Sequence, residues 1–129
     1  MPMTRITVKE GRSLEKLHQL MAIFHQTLVS EFDVPEHDRF QVLDIKPPEH
    51  MHYDPHYMTG KRSAHYTLFE ITAGKPRNAA QKQALYRVLT QRLVDELGMR
   101  ADDIMIVIRF TQAEDWCFGN GKVLKGEPL

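Results

Sequence analysis

The sequence has a single cysteine, Cys117, so no internal disulfide can form, which fits a reducing compartment. It has no surplus of charge, with 17 Lys and Arg against 17 Asp and Glu. That balance gives no electrostatic reason to expect nucleic acid or an anionic membrane as a partner. No apolar run approaches the roughly 20 residues needed to span a bilayer. The opening MPMTRITVKE also lacks the apolar core of a secretion signal. On these absences the chain reads as cytoplasmic. Its 129 residues suit one domain. With 42% apolar and 26% charged residues it has the composition of an ordinary globular protein.

Against that background the hydrophobic pattern is regular. Residues 4–9, TRITVK, mix Thr and β-branched residues as a strand does. Ser13 is a good N-cap, and Leu14, Leu17, Met21, Phe24 and Leu28 follow at helical spacing. That helix must stop before Pro35, because a residue preceding proline is driven out of the α region. Residues 40–45, FQVLDI, read as a second strand and residues 46–62 as a loop rich in Pro, His and Gly. A third strand is expected over 65–72. Asn78 with Gln81 then forms a capping box for a helix marked by Leu85, Val88, Leu89, Leu93 and Leu97. Gly98 suits its C-terminal cap. Residues 104–110, IMIVIRF, read as a last strand buried on both faces. Asn120-Gly121 signals a short C-terminal hairpin.

The two halves superimpose without a gap at an offset of 65 residues. Ile6 falls on Ile71, Arg12 on Arg77, Ser13 on Asn78, Glu31 on Glu96, Asp38 on Asp103 and Val42 on Val107. This is an internal duplication, with repeats at about residues 2–45 and 65–110 of one domain spanning 1–129. Each repeat is strand, helix, strand. Right-handed crossovers put both helices on one face of a four-stranded α/β sheet. The other face then needs cover, which self-assembly with apolar faces inward can supply.

Four segments carry a family resemblance. They are Pro2, the run Val34-Pro35-Glu36-His37-Asp38-Arg39-Phe40-Gln41, the run Lys75-Pro76-Arg77, and the tail Asp115-Trp116-Cys117-Phe118-Gly119-Asn120-Gly121. Together with the duplicated β-α-β pattern, they resemble the tautomerase superfamily, and within it the malonate semialdehyde decarboxylase subgroup. The resemblance implies a homotrimer with active sites near subunit boundaries, a small carboxylic acid substrate and no cofactor or metal. It also implies catalytic roles for Pro2, Asp38, Lys75 and Arg77, with Trp116 and Phe118 lining the substrate pocket. Lys75 stands where the decarboxylase has arginine. Lysine keeps the charge but cannot form arginine's planar two-point fork on a carboxylate.

These residue types suit acid–base chemistry. Removal of Met1 exposes Pro2 as a secondary amine, whereas a retained Met1 makes its nitrogen a non-basic amide. An ordinary α-amino group titrates at about 7.7–8.0. Burial and the charges of Lys75 and Arg77 lower such a value, and Asp38 raises it. A neutral amine can take a proton α to a carbonyl and return it elsewhere, which is tautomerisation. A cationic amine can donate a proton or polarise a carbonyl, which suits decarboxylation of a β-keto acid or hydration of an unsaturated acid. A neutral amine can also form an imine. The sequence leaves these open. Lys75 and Arg77 would hold the substrate carboxylate, beside the helix N-terminus that Asn78 begins.

Other readings compete. The scaffold could serve as a non-catalytic binding or signalling module. The stretch 49–56 gathers His50, His52 and His56 with Glu49 and Asp54, a metal-like composition on a proline-containing loop. His25 beside the first helix's apolar stripe reads as a packed histidine, and Cys117 between aromatics as a structural thiol.

Overall fold

A computed structural model describes residues 2–124. The chain forms β1 (Pro2–Lys9), α1 (Leu14–Phe32), β2 (Gln41–Lys46), β3 (Thr67–Ala73), α2 (Ala79–Leu97) and β4 (Ile104–Phe110). Single 3-10 turns lie at Pro48–His50, Ala101–Asp103 and Ala113–Asp115. The strands make one sheet in the order β2-β1-β3-β4. β1 runs parallel to β2, antiparallel to β3, and β3 runs parallel to β4. This is the duplicated β-α-β arrangement that the repeat predicts.

The helix boundaries follow their caps. The Ser13 side chain accepts from the Lys16 amide, and Asn78 with Gln81 forms the expected reciprocal box. α2 ends at left-handed Gly98 (φ 66°), as its sequence suggests. α1 ends instead at Asp33, which takes the left-handed region (φ 53°) without being glycine. The buried stripe of α1 is broader than the spacing rule selects. Leu20, Ile23 and Phe32 join it, whereas Leu14 in the first turn is 55% exposed.

Both helices pack on one sheet face. Ile6 and Val8 of β1 and Phe69, Ile71 and Ala73 of β3 meet Leu17, Phe24 and Leu28 of α1 and Leu85, Leu89 and Leu93 of α2. Phe24 and Phe69 meet edge to face at 4.8 Å. Each of these large buried side chains contributes about 2 kcal/mol by leaving water.

The helix-free face is mixed in character, not the apolar surface the sequence suggests. Arg5 pairs with Asp44, and Arg109 with Glu70 at 2.8 Å. Arg5 stands opposite Glu70 in the β1–β3 ladder, so the two pairs form a charged row across all the strands. Apolar side chains such as Met3 (37% exposed) and Met105 (40%) share this face. β4 corrects its own expectation for the same reason. Ile104, Ile106 and Ile108 pack on the core, while Met105 on the other face is open, so within the chain one side of the strand is covered.

The Asn120-Gly121 turn forms with both residues at positive φ (61° and 67°), the backbone that a type I′ hairpin needs. Lys122 N–H donates to Gly119 O, and Leu124 N–H donates to Trp116 O at 3.0 Å. The arms build no regular strand among the described residues, so the hairpin is a turn with a single cross-link.

The connection from β2 to β3 is tied to the turn before β4. Asp102 accepts from the Thr59 hydroxyl (2.6 Å) and from the Gly60 and Lys61 amides (3.2 Å each). Asp103 accepts from the Ser63 amide and hydroxyl, both at 2.6 Å.

Candidate active site

Strand directions gather the predicted segments. β1 and β2 are parallel, so their starts share one end of the sheet. β1 and β3 are antiparallel, so the finish of β3 lies at that same end, and the finish of parallel β4 beside it. Pro2, Asp38, Lys75, Arg77, Trp116 and Phe118 all flank these termini.

Pro2 is buried and sits opposite Ala73 in the β1–β3 ladder. Two residues on, Thr4 donates to Phe40 O from both its amide (2.9 Å) and its hydroxyl (2.8 Å). This bond pair fixes the segment that carries Asp38 against the start of β1. Asp38 is 9% exposed, and its amide closes a turn onto Pro35 O. His25, buried on α1, holds the same turn through Nε2 to Glu36 O at 2.7 Å. A carbonyl only accepts, so Nε2 carries the proton. His25 is therefore packed, as its position suggests, and it also orients the Asp38 turn.

The two cations differ in what is left of them. Lys75 is exposed. Arg77 is 5% exposed, and its guanidinium is largely spent. Nε (3.1 Å) and Nη2 both donate to Phe32 O, and Nη1 donates to Lys75 O at 2.6 Å. The guanidinium also stacks 5.0 Å from the Phe32 ring. Arg77 thus caps the last turn of α1, whose carbonyls have no partner within the helix. Burial pushes its pKa down, while the nearby Asp33 and Asp38 carboxylates raise it. Those neighbours put Arg77 and Asp38 in electrostatic contact.

The tail crosses the sheet end. Thr111 N–H donates to Ala73 O at 2.9 Å, and Trp116 Nε1–H donates to Thr111 Oγ1 at 2.7 Å. Trp116 stacks on Phe118 at 5.5 Å, and Phe118 meets Phe40 at 6.0 Å. Phe40 precedes β2 and Phe118 follows β4, so the tail spans the end where Pro2 lies. Phe40 and Thr111 are site neighbours to which the sequence assigned no role, although Phe40 lies within the quoted run around Asp38, which was a signal within reach.

The histidine loop is self-contained. His52 bonds Glu49 O at 3.1 Å and His56 bonds Gly60 O at 2.9 Å. Cys117 is exposed, with Sγ near Gly119 O.

The chain is similar to known proteins over nearly its whole length. A family profile described as "Tautomerase enzyme" matches residues 38–119. "Probable tautomerase YusQ" of Bacillus subtilis (strain 168) is 38% identical over 122 residues, covering 95% of this chain and 96% of that protein. "Probable tautomerase YrdN" of the same organism is 33% identical, covering 95% and 94%. A solved malonate semialdehyde decarboxylase, described with decarboxylase and hydratase activities, aligns with TM-score 0.86 at 27% identity, over 93% of this chain and 92% of its own. A second such decarboxylase, solved inhibited by 3-bromopropiolate, aligns with TM-score 0.85 at 26% identity, over 93% and 91%.

Proposed function

The chain belongs to the tautomerase family, and we propose that it is a cofactor-independent enzyme whose Pro2 amine, freed by removal of Met1, acts on small 2-oxo or β-keto carboxylic acids. The observation that carries this reading is the meeting of Pro2, Asp38, Lys75, Arg77 and the Trp116–Phe118 pair at one end of the sheet. Lys75, the exposed cation, receives the substrate carboxylate, and Arg77 adds positive field from behind. The neutral Pro2 amine takes the proton α to the carbonyl as charge moves to oxygen, then returns it at another carbon. Asp38 balances the transient cation. Trp116 and Phe118 exclude water, which strengthens these charges.

Tautomerisation ranks first because relatives at 38% and 33% identity are named probable tautomerases. Lysine at position 75 weakens the case for a decarboxylase's own substrate. Decarboxylation or hydration through a cationic Pro2 is the second form of the same reading, favoured by the likeness to a protein with both activities. The enzyme works in the cytoplasm as a homotrimer. The helix-free sheet face, which keeps Met3 and Met105 open within one chain, supports assembly.

The test is ¹⁵N-proline NMR of Pro2 against pH, paired with mass analysis after 3-bromopropiolate treatment. Labelling at Pro2 supports proline chemistry in either form, and an amine titrating near neutrality selects the tautomerase. A titration well above neutrality selects the decarboxylase or hydratase form. No titrating amine in protein processed by its native cell would falsify proline chemistry and leave the binding module.

A further inference from the structure

The interval of 65 residues that relates the halves also relates the two ends of the sheet. It carries Pro2 onto Thr67, Phe32 onto Leu97, Asp38 onto Asp103, and Arg12 onto Arg77. β1 and β3 are antiparallel neighbours at the centre, so exchanging the halves turns the Pro2 end into the opposite end. That far end is a second version of the candidate site.

Its catalytic parts are missing. Thr67, in the place of Pro2, is buried mid-chain, and its hydroxyl donates to His65 O at 3.1 Å. Asp103, in the place of Asp38, is 1% exposed and receives two bonds from Ser63. A pocket nevertheless persists. A cavity of about 180 Å³ is lined by Arg12, Lys16 and His65 and by apolar side chains including Leu17, Leu97 and Met99. No acidic residue lines it among the described residues. Arg12 Nε is buried without a hydrogen-bond partner among the described residues, and Nη2 reaches Tyr66 O only at 3.5 Å. Nε itself is sealed from solvent; burial lowers the Arg12 pKa and the nearby Asp103 carboxylate raises it, and the guanidinium keeps its positive charge beside the cavity.

We propose that this cavity binds a small organic anion: a monocarboxylate whose charged end meets Arg12 and Lys16 and whose apolar end packs on Leu17, Leu97 and Met99. The size fits, since a dry cavity of about 150 Å³ accepts benzene. The site has no counterpart of the Pro2 amine, because Thr67 stands in its place, so the proposal is one of binding only. Its occupancy does not depend on turnover at Pro2.

The experiment is a ¹H–¹⁵N NMR titration of the full chain with sodium benzoate, and with benzamide as the uncharged match. Saturable shifts are expected at the amides of Leu17, Leu97, Gly98 and Met99 with benzoate and not with benzamide. Lys16→Gln, on an exposed side chain, should bind about tenfold more weakly, the loss of one charge-assisted contact. Arg12→Gln should do the same, and if it does not fold, Lys16→Gln decides. Pro2→Ala should bind as the parent does. Stationary amides at millimolar benzoate, shifts confined to the Pro2 end, or unchanged affinity in Lys16→Gln each overturn the proposal.

Discussion

Arg77 donates twice to the carbonyl of Phe32, 45 residues earlier in the chain, and so ties the last turn of α1 to the loop that opens α2. A residue assigned to substrate by its motif is thus also a helix cap. Arg77→Met should lower unfolding stability by about 3 kcal/mol, because it strands a buried carbonyl. Lys75→Ala should leave stability within about 0.5 kcal/mol and raise KM for a carboxylate substrate. Chemical denaturation and steady-state kinetics on both variants separate the roles.

Pro2→Ala should reduce kcat about 10²- to 10⁴-fold, the range for a positioned acid–base group. Its stability should barely change, since alanine suits a strand position opposite Ala73. A variant with undiminished kcat would remove Pro2 from the reaction.

Trp116 holds its place through one bond to Thr111 and a stack on Phe118. Trp116→Leu loses both and opens the sheet end to water. We expect kcat/KM to fall roughly tenfold, as for a lost contact worth ~1.4 kcal/mol. Thr111→Val, which removes only the hydroxyl, should give a smaller fall. Equal activity in both variants would argue against a pocket wall.

Acid should loosen the loop that Asp102 secures. The Thr59 hydroxyl first, and the Lys61 and Gly60 amides after it, hold the Asp102 carboxyl below its ordinary value. The unfolded chain therefore binds the proton first. The stabilisation is full above an ordinary aspartate value of about 3.9 and is lost as pH falls through the lower folded value. Protection of the Gly60 and Lys61 amides relative to their intrinsic exchange rates should fall in that window, and Asp102→Asn should abolish that fall. Gly60→Ala should mimic acid at neutral pH, because a Cβ there lies 2.8 Å from Asp102 Oδ2. Protection that does not change with acid in the parent protein would refute the latch.

The elements that were legible were those whose causes are local. Ser13, Asn78 and Gly98 announce helix ends through bonds to atoms a few residues away. The apolar repeat at an interval of 65 announces the duplication, and strand order then brings the four motif segments to one end. What stayed hidden depends on contacts across the chain. Arg77 meets Phe32, Asp102 meets Thr59, and Phe40 meets Phe118, none of which leaves a periodic trace. Pro35 bounded the end of α1 as expected, but its cap was hidden for another reason: Asp33 takes a left-handed backbone that sequence rules reserve mainly for glycine.

The charged row on the open face bears on which strands may pair. Arg5 faces Glu70, its own counterpart in the other half, with the sign reversed. Its neighbour Asp44 likewise corresponds to Arg109. Two copies of β1 joined in this register would bring Arg5 against Arg5, and two copies of β3 would bring Glu70 against Glu70. Like charges directly opposite are unfavourable in a ladder. The inversion therefore makes a first repeat paired with a second repeat more favourable at this position than a first paired with another first, by an amount on the order of 0.2–1 kcal/mol.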